Sequence, residues 1–569
     1  MNDADAKIAS CIEARQSFLL DAGAGAGKTY SLVKALKLLL KSHRSELKAK
    51  GQQIGCITFT NVAKDQIAER IENDPLVRVS TIHDFLWDLI APHQRALRLA
   101  VSKYNASLKD SSRRKVEQAS LEAALQNASV TYADLGTNLL KGRLFHDDLL
   151  QVAQIMFEDN PMLAQISVAK FPFLFIDEYQ DTSRPVVEIV LGIILPKMKD
   201  RFVVGLFGDK LQSIYSSTSN PGIGELPPAL RELLEPIIKP DNRRCPIAVI
   251  NVLNRIRDDI QQVPAADNSQ GEALYLFAQD EAGLESAQTF LKDSRGWSVT
   301  ANRTKQLFLT HRLIAKRGGY GDLIQVYGDR GGYFREDFLG GEDRTISFFM
   351  DKVEALASAW RSANQGLTVT LLKNNGFQLR SNADKQVVRR ELDKLNELRE
   401  TATVKEVLTH LRSSKLMTML EELETRLTTP KRDTSKMDEK DTEREARDSK
   451  FYTELFSLPY AQIASFVDFF LNHTPFATKH GVKGAEFDEV IVVLDDKGAR
   501  WTQYSFDKYL SMEDLRDKAE RWKRSRNLFY VCCSRPRERL AVVDLGSRDN
   551  AKVENIRRIF GPANVLEIQ

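Results

Sequence analysis

A glycine-rich loop at residues 22–29 constrains the fold of this chain more than any other feature. The loop reads AGAGAGKT and lies directly between the apolar run SFLLD and the helical run YSLVKALKLLL. A strand, a glycine-rich turn and a helix in this order are typical of phosphate-binding loops. The glycines let backbone N–H groups turn toward phosphate, and the helix points its positive end at the same place. The pattern therefore predicts a polyphosphate site at the end of a buried strand.

The loop residues have distinct expected roles in holding a nucleotide. Lys28 should reach the β- and γ-phosphates, and Thr29 should ligate Mg²⁺. The strict pattern has glycine at the first position, where this chain has alanine. The residues expected around the phosphates are Ala22, Gly23, Ala24, Gly25, Ala26, Gly27, Lys28 and Thr29.

A second motif supports this interpretation. The run LFIDEYQD (174–181) is an apolar strand that ends in two adjacent carboxylates. Asp177 is expected to hold the Mg²⁺ shell, and Glu178 to orient and deprotonate the attacking water. An acidic pair at a strand end is otherwise a surface turn, but the loop already found favours the catalytic alternative. ATP and Mg²⁺ are therefore the predicted cofactors.

Six apolar runs, each followed by a polar turn and a helical pattern, indicate parallel sheets that are covered on both faces. They are the segments 17–23, 54–60, 171–178, 201–209, 306–312 and 489–495. A chain of 569 residues is too long for one core, since cores stop growing at roughly 250–300 residues. The 81 Lys and Arg against 78 Asp and Glu leave the net charge near neutral, which neither supports nor excludes nucleic-acid binding.

The two motifs resemble those of the UvrD/Rep type of superfamily-one helicases, and further motifs follow in the family's order. The resemblance implies an α/β fold of two RecA-like parallel-sheet lobes, of the P-loop NTPase type, with two mainly helical inserts. The first lobe is expected at 1–90 and 143–242, with an insert at 91–142. The second is expected at 243–330 and 451–569, with a reduced, charged insert at 331–450.

The resemblance also implies roles for residues outside the loop. Gln212 in GDKLQSIY is expected to sense the γ-phosphate, and Arg244 in DNRRCP to contact it. Gly484 and Glu486 in TKHGVKGAEFDEV are expected beside the nucleotide. Arg535 in NLFYVCCSRPRERL is expected to act as an arginine finger from the second lobe. The implied contacts to single-stranded DNA are Phe59, Thr60, Asn61, His83, Tyr215 and His480. For Phe59 the alternative is a core aromatic at the end of its strand.

The chain departs from the family pattern in three places. No clear counterpart of the adenine-reading Gln precedes the loop. Arg243 stands where the family has a Tyr that stacks on adenine, although a guanidinium also stacks on an aromatic plane. Ser216, Ser217 and Thr218 follow GDKLQSIY, where a Trp-Arg pair often stacks a DNA base. These departures predict loose base selectivity and weaker unwinding.

Two functions remain open at this point. The leading one is an ATP-dependent DNA translocase and helicase, moving 3′ to 5′ on single-stranded or tailed DNA in repair or anti-phage defence. The alternative is a DNA- or nucleotide-sensing ATPase subunit that controls a partner nuclease with little unwinding of its own.

The expected partners follow from length and resemblance. Few residues follow Arg535, so we expect any nuclease to be a separate subunit in a hetero-oligomer. Compact chains of this kind resemble the helicase partner in Gabija-type bacterial anti-phage systems, which pairs with a separate nuclease. We expect no membrane association and a cytoplasmic location, because no apolar run reaches the ~18 residues of a membrane span and the N-terminus lacks a signal-peptide pattern.

Overall fold

The computed structural model describes residues 3–112, 114–133, 136–214, 222–298, 300, 302–377, 381–429, 438–478, 482–499 and 502–568. Within these ranges the strands are β1 Phe18–Ala22, β2 Ile54–Thr58, β3 Val77–Thr81, β4 Thr131–Tyr132, β5 Arg143–Leu144, β6 Phe173–Asp177, β7 Val203–Gly208, β8 Glu235–Lys239, β9 Asp241–Asn242, β10 Val263–Pro264, β11 Glu272–Phe277, β12 Thr304–Phe308, β13 Phe476–Thr478, β14 Phe487–Leu494, β15 Pro536–Asp544 and β16 Val565–Glu567. Each of the six predicted runs contains or overlaps one of these strands.

The first sheet has six strands in the order β3-β2-β6-β7-β1-β8. Its central strands β2, β6 and β7 are buried at every residue, because their side chains are apolar on both faces and helices cover both. The parallel register aligns Asp21 with Gly208 and Asp177 with Phe207. The carboxyl ends of β1, β6 and β7 therefore meet at one edge, where α/β sheets bind ligands.

The second sheet also has six strands, in the order β13-β12-β14-β15-β11-β16. β11 pairs in parallel with β15 and with β16, and β12 pairs in parallel with β13. The predicted architecture of two parallel-sheet α/β lobes is therefore confirmed.

Helices occupy both predicted inserts. The first insert contains Gln94–Ser107 and Gln118–Leu125. The second contains Gly332–Leu339, Arg344–Phe348, Ala355–Arg361, Gln365–Asn374, Asn382–Thr401, Val404–Ser414, Glu421–Thr428 and the start of Glu439–Ser457. The end of the predicted charged insert is thus helical from Glu439 onward, and residues 430–437 lie outside the described ranges.

The chain divides into two compact units. Unit 1 comprises Met1–Gln279, Val482–Val490 and Trp501–Gln569, and unit 2 comprises Asp280–Gly481 and Ile491–Arg500. This division does not test the four predicted subdomain boundaries, which stay a prediction. No helix in the described ranges is both long enough and apolar enough to cross a membrane.

The remaining α-helices belong to the two units. In unit 1 they are Asp3–Glu13, Lys28–Lys50, Asn61–Arg70, Ile82–Ile90, His146–Asp159, Pro161–Lys170, Arg184–Val187, Leu195–Met198, Pro228–Arg231, Ile247–Ile256, Phe506–Leu510, Glu513–Asp517, Ala519–Cys533 and Asn550–Phe560. In unit 2 they are Glu281–Arg295, His311–Gly318, Gly321–Arg330, Ala461–Phe470 and Asp496–Ala499.

Candidate nucleotide site and nucleic-acid contacts

The phosphate loop joins the end of β1 to the helix Lys28–Lys50, as its sequence predicts. Gly25 and Gly27 have φ angles of 72° and 76°, a left-handed conformation that glycine adopts without steric cost. A Cβ on Gly25 would also lie 2.5 Å from Asn242 Oδ1. The Lys28 side chain is buried at the first turn of the helix. The loop therefore has the backbone geometry that a bound polyphosphate requires.

The acidic pair lies at the end of β6, two strands from β1. Asp177 is buried, and its Oδ1 accepts a hydrogen bond of 3.1 Å from the Glu178 backbone N–H. Glu178 has a φ of 51°, and such a conformation in a non-glycine residue is a form of local strain found at functional sites. Burial and the neighbouring Glu178 charge raise the pKa of Asp177. Burial opposes the charge of Glu178, but Lys28 and Lys483 outweigh it and lower the pKa of Glu178.

Lys483 is a site residue that the motif analysis did not single out. Its Nζ lies 2.7 Å from the Gln212 carbonyl oxygen and 4.0 Å from Glu178 Oε2, and it also contacts the Asp181 carboxylate. Lys483 is thus a second cation beside the acidic pair. The sequence could have identified Lys483 as a site residue, because it lies inside the motif, between Gly484 and the preceding histidine.

The segment after β9 brings two arginines to the loop. Asn242 Oδ1 accepts hydrogen bonds from the backbone N–H groups of Arg244 and Cys245, which fixes the turn. The Arg243 N–H donates to the Gly25 carbonyl at 2.9 Å, and the Arg243 side chain is exposed. The location of Arg243 next to the loop is compatible with its predicted contact to the base.

Arg244 forms an ion pair with Glu486. Its Nη2 lies 2.9 Å from Glu486 Oε1, and its Nη1 donates to the Ser534 carbonyl at 3.3 Å. The Arg244 side chain is largely buried, whereas that of Glu486 is 42% exposed. Gly484, in the same segment, has a φ of 83°. The structure therefore brings Arg244 and Glu486 into contact, and Gly484 lies two residues before Glu486 in the chain.

Arg535 is buried and has only neutral hydrogen-bond acceptors around it. Its guanidinium donates to the carbonyl oxygens of Val531 at 2.8 Å and Ala485 at 3.4 Å, and to the Ser534 hydroxyl at 2.7 Å. Among the described residues no carboxylate forms an ion pair with Arg535. Burial lowers the pKa of Arg535 to about 10. A buried cation whose hydrogen bonds go only to neutral groups is costly to the fold and suited to an anionic ligand.

Gln212 lies on a short helical turn after β7, where it bonds to Asp209. Gln212 Nε2 donates to Asp209 Oδ2 at 3.0 Å, and both side chains are buried. Asp209 in turn contacts Arg257 and Tyr530. Tyr530 and Gln262 both bond to Ala24 of the phosphate loop. Arg257 and Gln262 lie outside all of the sequence motifs. Tyr530 lies inside the last motif, five positions before Arg535.

The donor set fits a hard divalent cation. Thr29 and Asp177 supply hydroxyl and carboxylate oxygens, which suit Mg²⁺ together with phosphate oxygens and water. Nearby, Asp181 Oδ1 is buried and has no hydrogen-bond partner among the described residues. A carboxylate oxygen in this state is suited to a cation or to a metal-bound water.

The structure describes some of the predicted DNA-contact residues, and others lie outside the described ranges. The Phe59 side chain is 43% exposed, so it is not a core aromatic. The Thr60 hydroxyl caps the helix Asn61–Arg70 by accepting from Ala63 N–H, and Asn61 is exposed. Tyr215 and His480 lie outside the described residues, as do the serines and threonine at 216–218.

His83 belongs to an aromatic cluster on unit 1. Its ring lies 4.6 Å from that of His146 and 6.3 Å from that of Tyr132, measured between centroids. Trp87 and Phe145 complete the cluster. His83 is half-buried there, and a base could contact only its remaining exposed part.

Comparisons with known proteins show what the chain is similar to. A family model described as an AAA domain matches residues 6–218. The Gabija protein GajB of Bacillus cereus (strain HuB5-5) is 25% identical over 97% of this chain and 96% of its own length. The ATP-dependent DNA helicase Rep of Buchnera aphidicola is 27% identical over 35% of this chain and 34% of its own length. The ATP-dependent DNA helicase PcrA of Bacillus subtilis (strain 168) is 26% identical over 35% of this chain and 31% of its own length. Together the ordered motifs, the two parallel-sheet lobes and these relatives support a UvrD-like helicase of the Gabija type.

Proposed function

We propose that the chain is an ATP-dependent DNA translocase and helicase that uses Mg²⁺ and acts in anti-phage defence. The observation that carries this proposal is the surroundings of Glu178. Lys28, Lys483 and Arg535, which come from three separate segments, all stabilise its carboxylate electrostatically. A carboxylate among three cations at the end of a parallel strand is the arrangement that phosphoryl transfer to water needs.

The residues divide the chemistry between them. The phosphate-loop N–H groups and Lys28 bind the β- and γ-phosphates, and Thr29 and Asp177 would hold Mg²⁺. When bound, Mg²⁺ neutralises charge on the phosphates and orients them. Glu178 accepts a proton from the attacking water as the bond from the γ-phosphorus to the bridging oxygen breaks. The products are ADP and orthophosphate.

Three further side chains respond to the γ-phosphate. Gln212 senses its presence, and Arg244 and Arg535 stabilise the charge that develops in the transition state. Glu486 pairs with Arg244, and together with Gly484 it completes the nucleotide's surroundings. Arg243 stacks on the base, where a guanidinium discriminates little between bases.

The proposed DNA path runs over Phe59, Thr60, Asn61 and His83, and continues to Tyr215 and His480. Exposed Phe59 supplies a stacking face for a base. We propose 3′ to 5′ movement on single-stranded or tailed DNA, which rests on the resemblance to UvrD/Rep-type helicases. We propose that the four predicted subdomains are the parts of the protein that move during translocation.

We further propose that a separate nuclease subunit joins this chain in a hetero-oligomer. Support comes from the likeness to Gabija protein GajB over nearly the whole chain. A second candidate function is a DNA- or nucleotide-sensing ATPase subunit that controls this nuclease and unwinds little. The residues Ser216, Ser217 and Thr218, in place of the stacking Trp-Arg pair, favour that candidate.

ATPase assays with and without single-stranded DNA, beside strand-displacement assays, test both candidates. Lys28→Ala should abolish turnover, because the phosphates lose the cation of the loop. Glu178→Gln should keep nucleotide binding and lose about 10²–10⁴-fold in turnover. Lys37→Ala, an exposed lysine on the same helix, is the matched control and should behave as wild type. DNA-stimulated turnover without strand displacement would favour the regulatory subunit, and wild-type turnover in Glu178→Gln would contradict the assigned base.

A further inference from the structure

A fully buried ion pair lies beside the phosphate loop. The side chains of Arg257 and Asp209 are both completely inaccessible, with Nη2 to Oδ1 at 3.4 Å and Nη1 to Oδ2 at 3.5 Å. Arg257 Nε also donates to Asp259 Oδ1 at 2.8 Å. Burial opposes the charge of Arg257, but the attraction of Asp209 outweighs it and raises the pKa above its ordinary value. Arg257 is therefore charged whenever the protein is folded.

Tyr530 connects this ion pair to the loop. Its hydroxyl accepts from Arg257 Nη1 at 2.7 Å and from the Ala24 backbone N–H at 3.0 Å, and it donates to Asp209 Oδ2 at 3.3 Å. The Arg257 guanidinium also lies 5.2 Å from the centre of the Tyr530 ring. One hydroxyl thus joins a buried cation, a buried anion and the backbone of the phosphate loop.

The same loop residue is held from its other side. Gln262 Nε2 donates to the Ala24 carbonyl at 2.8 Å. A Cβ on Gly23 would lie 2.1 Å from Gln262 Nε2 and 3.0 Å from Arg257 Nη1, so a larger residue there would displace the Gln262 amide. Both polar groups of the Ala24 backbone are therefore bonded to side chains around Arg257.

Asp209 extends the network to the γ-phosphate sensor, since it accepts the hydrogen bond from Gln212 Nε2 at 3.0 Å. Tyr530 lies near the end of the helix Ala519–Cys533, and Arg535 follows that helix by two residues. If Gln212 or the phosphate loop moves, the buried hydrogen bonds of Asp209, Arg257 and Tyr530 therefore transmit the movement to the segment that carries Arg535. In some proteins a buried ion pair specifies one geometry rather than adding stability.

We propose that Arg257 is a positioning residue of the ATPase, which holds the phosphate loop and Gln212 in register with the Arg535 segment. This inference rests on the proposed ATP hydrolysis. Arg257 touches no reacting atom, and it acts through Ala24, Asp209 and Tyr530. Its loss should therefore lower the turnover number for ATP while the KM for ATP changes far less.

Two variants test this inference by different routes. Arg257→Met removes the cation, and Tyr530→Phe removes only the hydroxyl and keeps the ring, so it should fold even where Arg257→Met does not. Misplacement of the loop should lower the DNA-stimulated turnover number by up to about 10²-fold. Tyr275→Phe is the matched control, because it also removes a buried tyrosine hydroxyl bonded to an aspartate, Asp544, at 2.5 Å. It should leave turnover unchanged.

Amide hydrogen exchange of residues 22–29 gives a second readout that does not depend on turnover. Exchange at the loop should rise in Tyr530→Phe and Arg257→Met and stay at the wild-type level in Tyr275→Phe. Unchanged loop exchange, or wild-type turnover in Tyr530→Phe, would overturn the inference. If wild type itself does not hydrolyse ATP, the proposed function fails, and the exchange comparison still decides whether Arg257 holds the loop.

Discussion

Replacement of Arg535 by methionine should separate the activity of this protein from its stability. Methionine keeps the apolar stem and volume of the buried side chain and removes its charge. Arg535 makes hydrogen bonds to Val531, Ala485 and Ser534 and has no carboxylate partner among the described residues. We therefore expect the variant to fold at least nearly as well as wild type and to hydrolyse ATP far more slowly.

The two contributions to stability can be compared. Three hydrogen bonds from a charged guanidinium contribute about 1.5–3 kcal/mol each, so their loss costs roughly 5–9 kcal/mol in all. The Val531 carbonyl stays satisfied, because the Ser534 hydroxyl also donates to it at 2.9 Å. Against this loss, burial of a cation that forms no ion pair among the described residues costs several kcal/mol. The two effects have opposite signs and similar sizes, so the free energy of unfolding should change by less than either effect alone.

The effect on turnover has no such compensation. Arginine fingers contribute at least about 10³ to the turnover number, and three powers of ten correspond to about 4 kcal/mol of transition-state stabilisation. The affinity for ATP should change much less, because Lys28 and the loop N–H groups make the ground-state contacts.

The assay measures DNA-stimulated turnover, nucleotide affinity and the melting temperature on the same preparations. Arg537→Met is the control, an exposed arginine two residues later that pairs with Asp488 at 2.8 Å. It should keep wild-type turnover. A lowered melting temperature together with full DNA-stimulated turnover in Arg535→Met would show that this arginine has a structural role and that our reasoning is wrong.

Three other predictions concern DNA, the base and pH. Phe59→Ala should weaken single-strand binding by about 1–3 kcal/mol with little change in melting temperature, whereas Phe85→Ala, at a 5% exposed side chain, should mainly lower the melting temperature; the reverse pattern would contradict the DNA contact. GTP and CTP should compete well with ATP because Arg243 stacks on any base, and an ATP preference above about 10²-fold, or about 2.7 kcal/mol, would contradict this. Burial lowers the pKa of His311 from 6.5 to about 4. Between pH 6.5 and about pH 4 the unfolded chain therefore binds one proton more than the folded chain, and the free energy of unfolding falls as the pH falls. His311→Gln should flatten that fall in urea titrations, and an unchanged pH dependence would refute the assignment.

The local part of the fold could be predicted from the sequence. Buried parallel strands such as β6 and β7 are nearly continuous apolar runs. The glycine-rich turn after β1 has the sequence of a phosphate-binding loop, which joins a strand to a helix. The strand order could not be predicted, because β7 lies between β6 and β1 through contacts of residues far apart in the chain. β15 was also missed, since its first half is charged and only partly buried.

The candidate site shows the same limit. Motif residues such as Lys28 and Glu178 were found because their chemistry requires a fixed local spacing. Lys483 meets the acidic pair from the far end of the sequence, and Arg257 is an ordinary basic residue at a helix end until its burial is known. Buried charge is the physical signal for such residues, and it depends on tertiary packing, which no local pattern encodes.

Arg244 and Arg535 also differ in what a nucleotide must displace. Arg244 is neutralised by Glu486, and that carboxylate is 42% exposed, so the pair contributes only about 0–1 kcal/mol. A γ-phosphate carries more charge than one carboxylate and should take Glu486's place at little cost. Arg535 has no carboxylate to release among the described residues. At Arg244, phosphate binding should therefore replace the Glu486 carboxylate with the γ-phosphate. At Arg535 it should supply an anionic partner where no ion pair existed. The contact at Arg535 should contribute more binding free energy, because that guanidinium is buried.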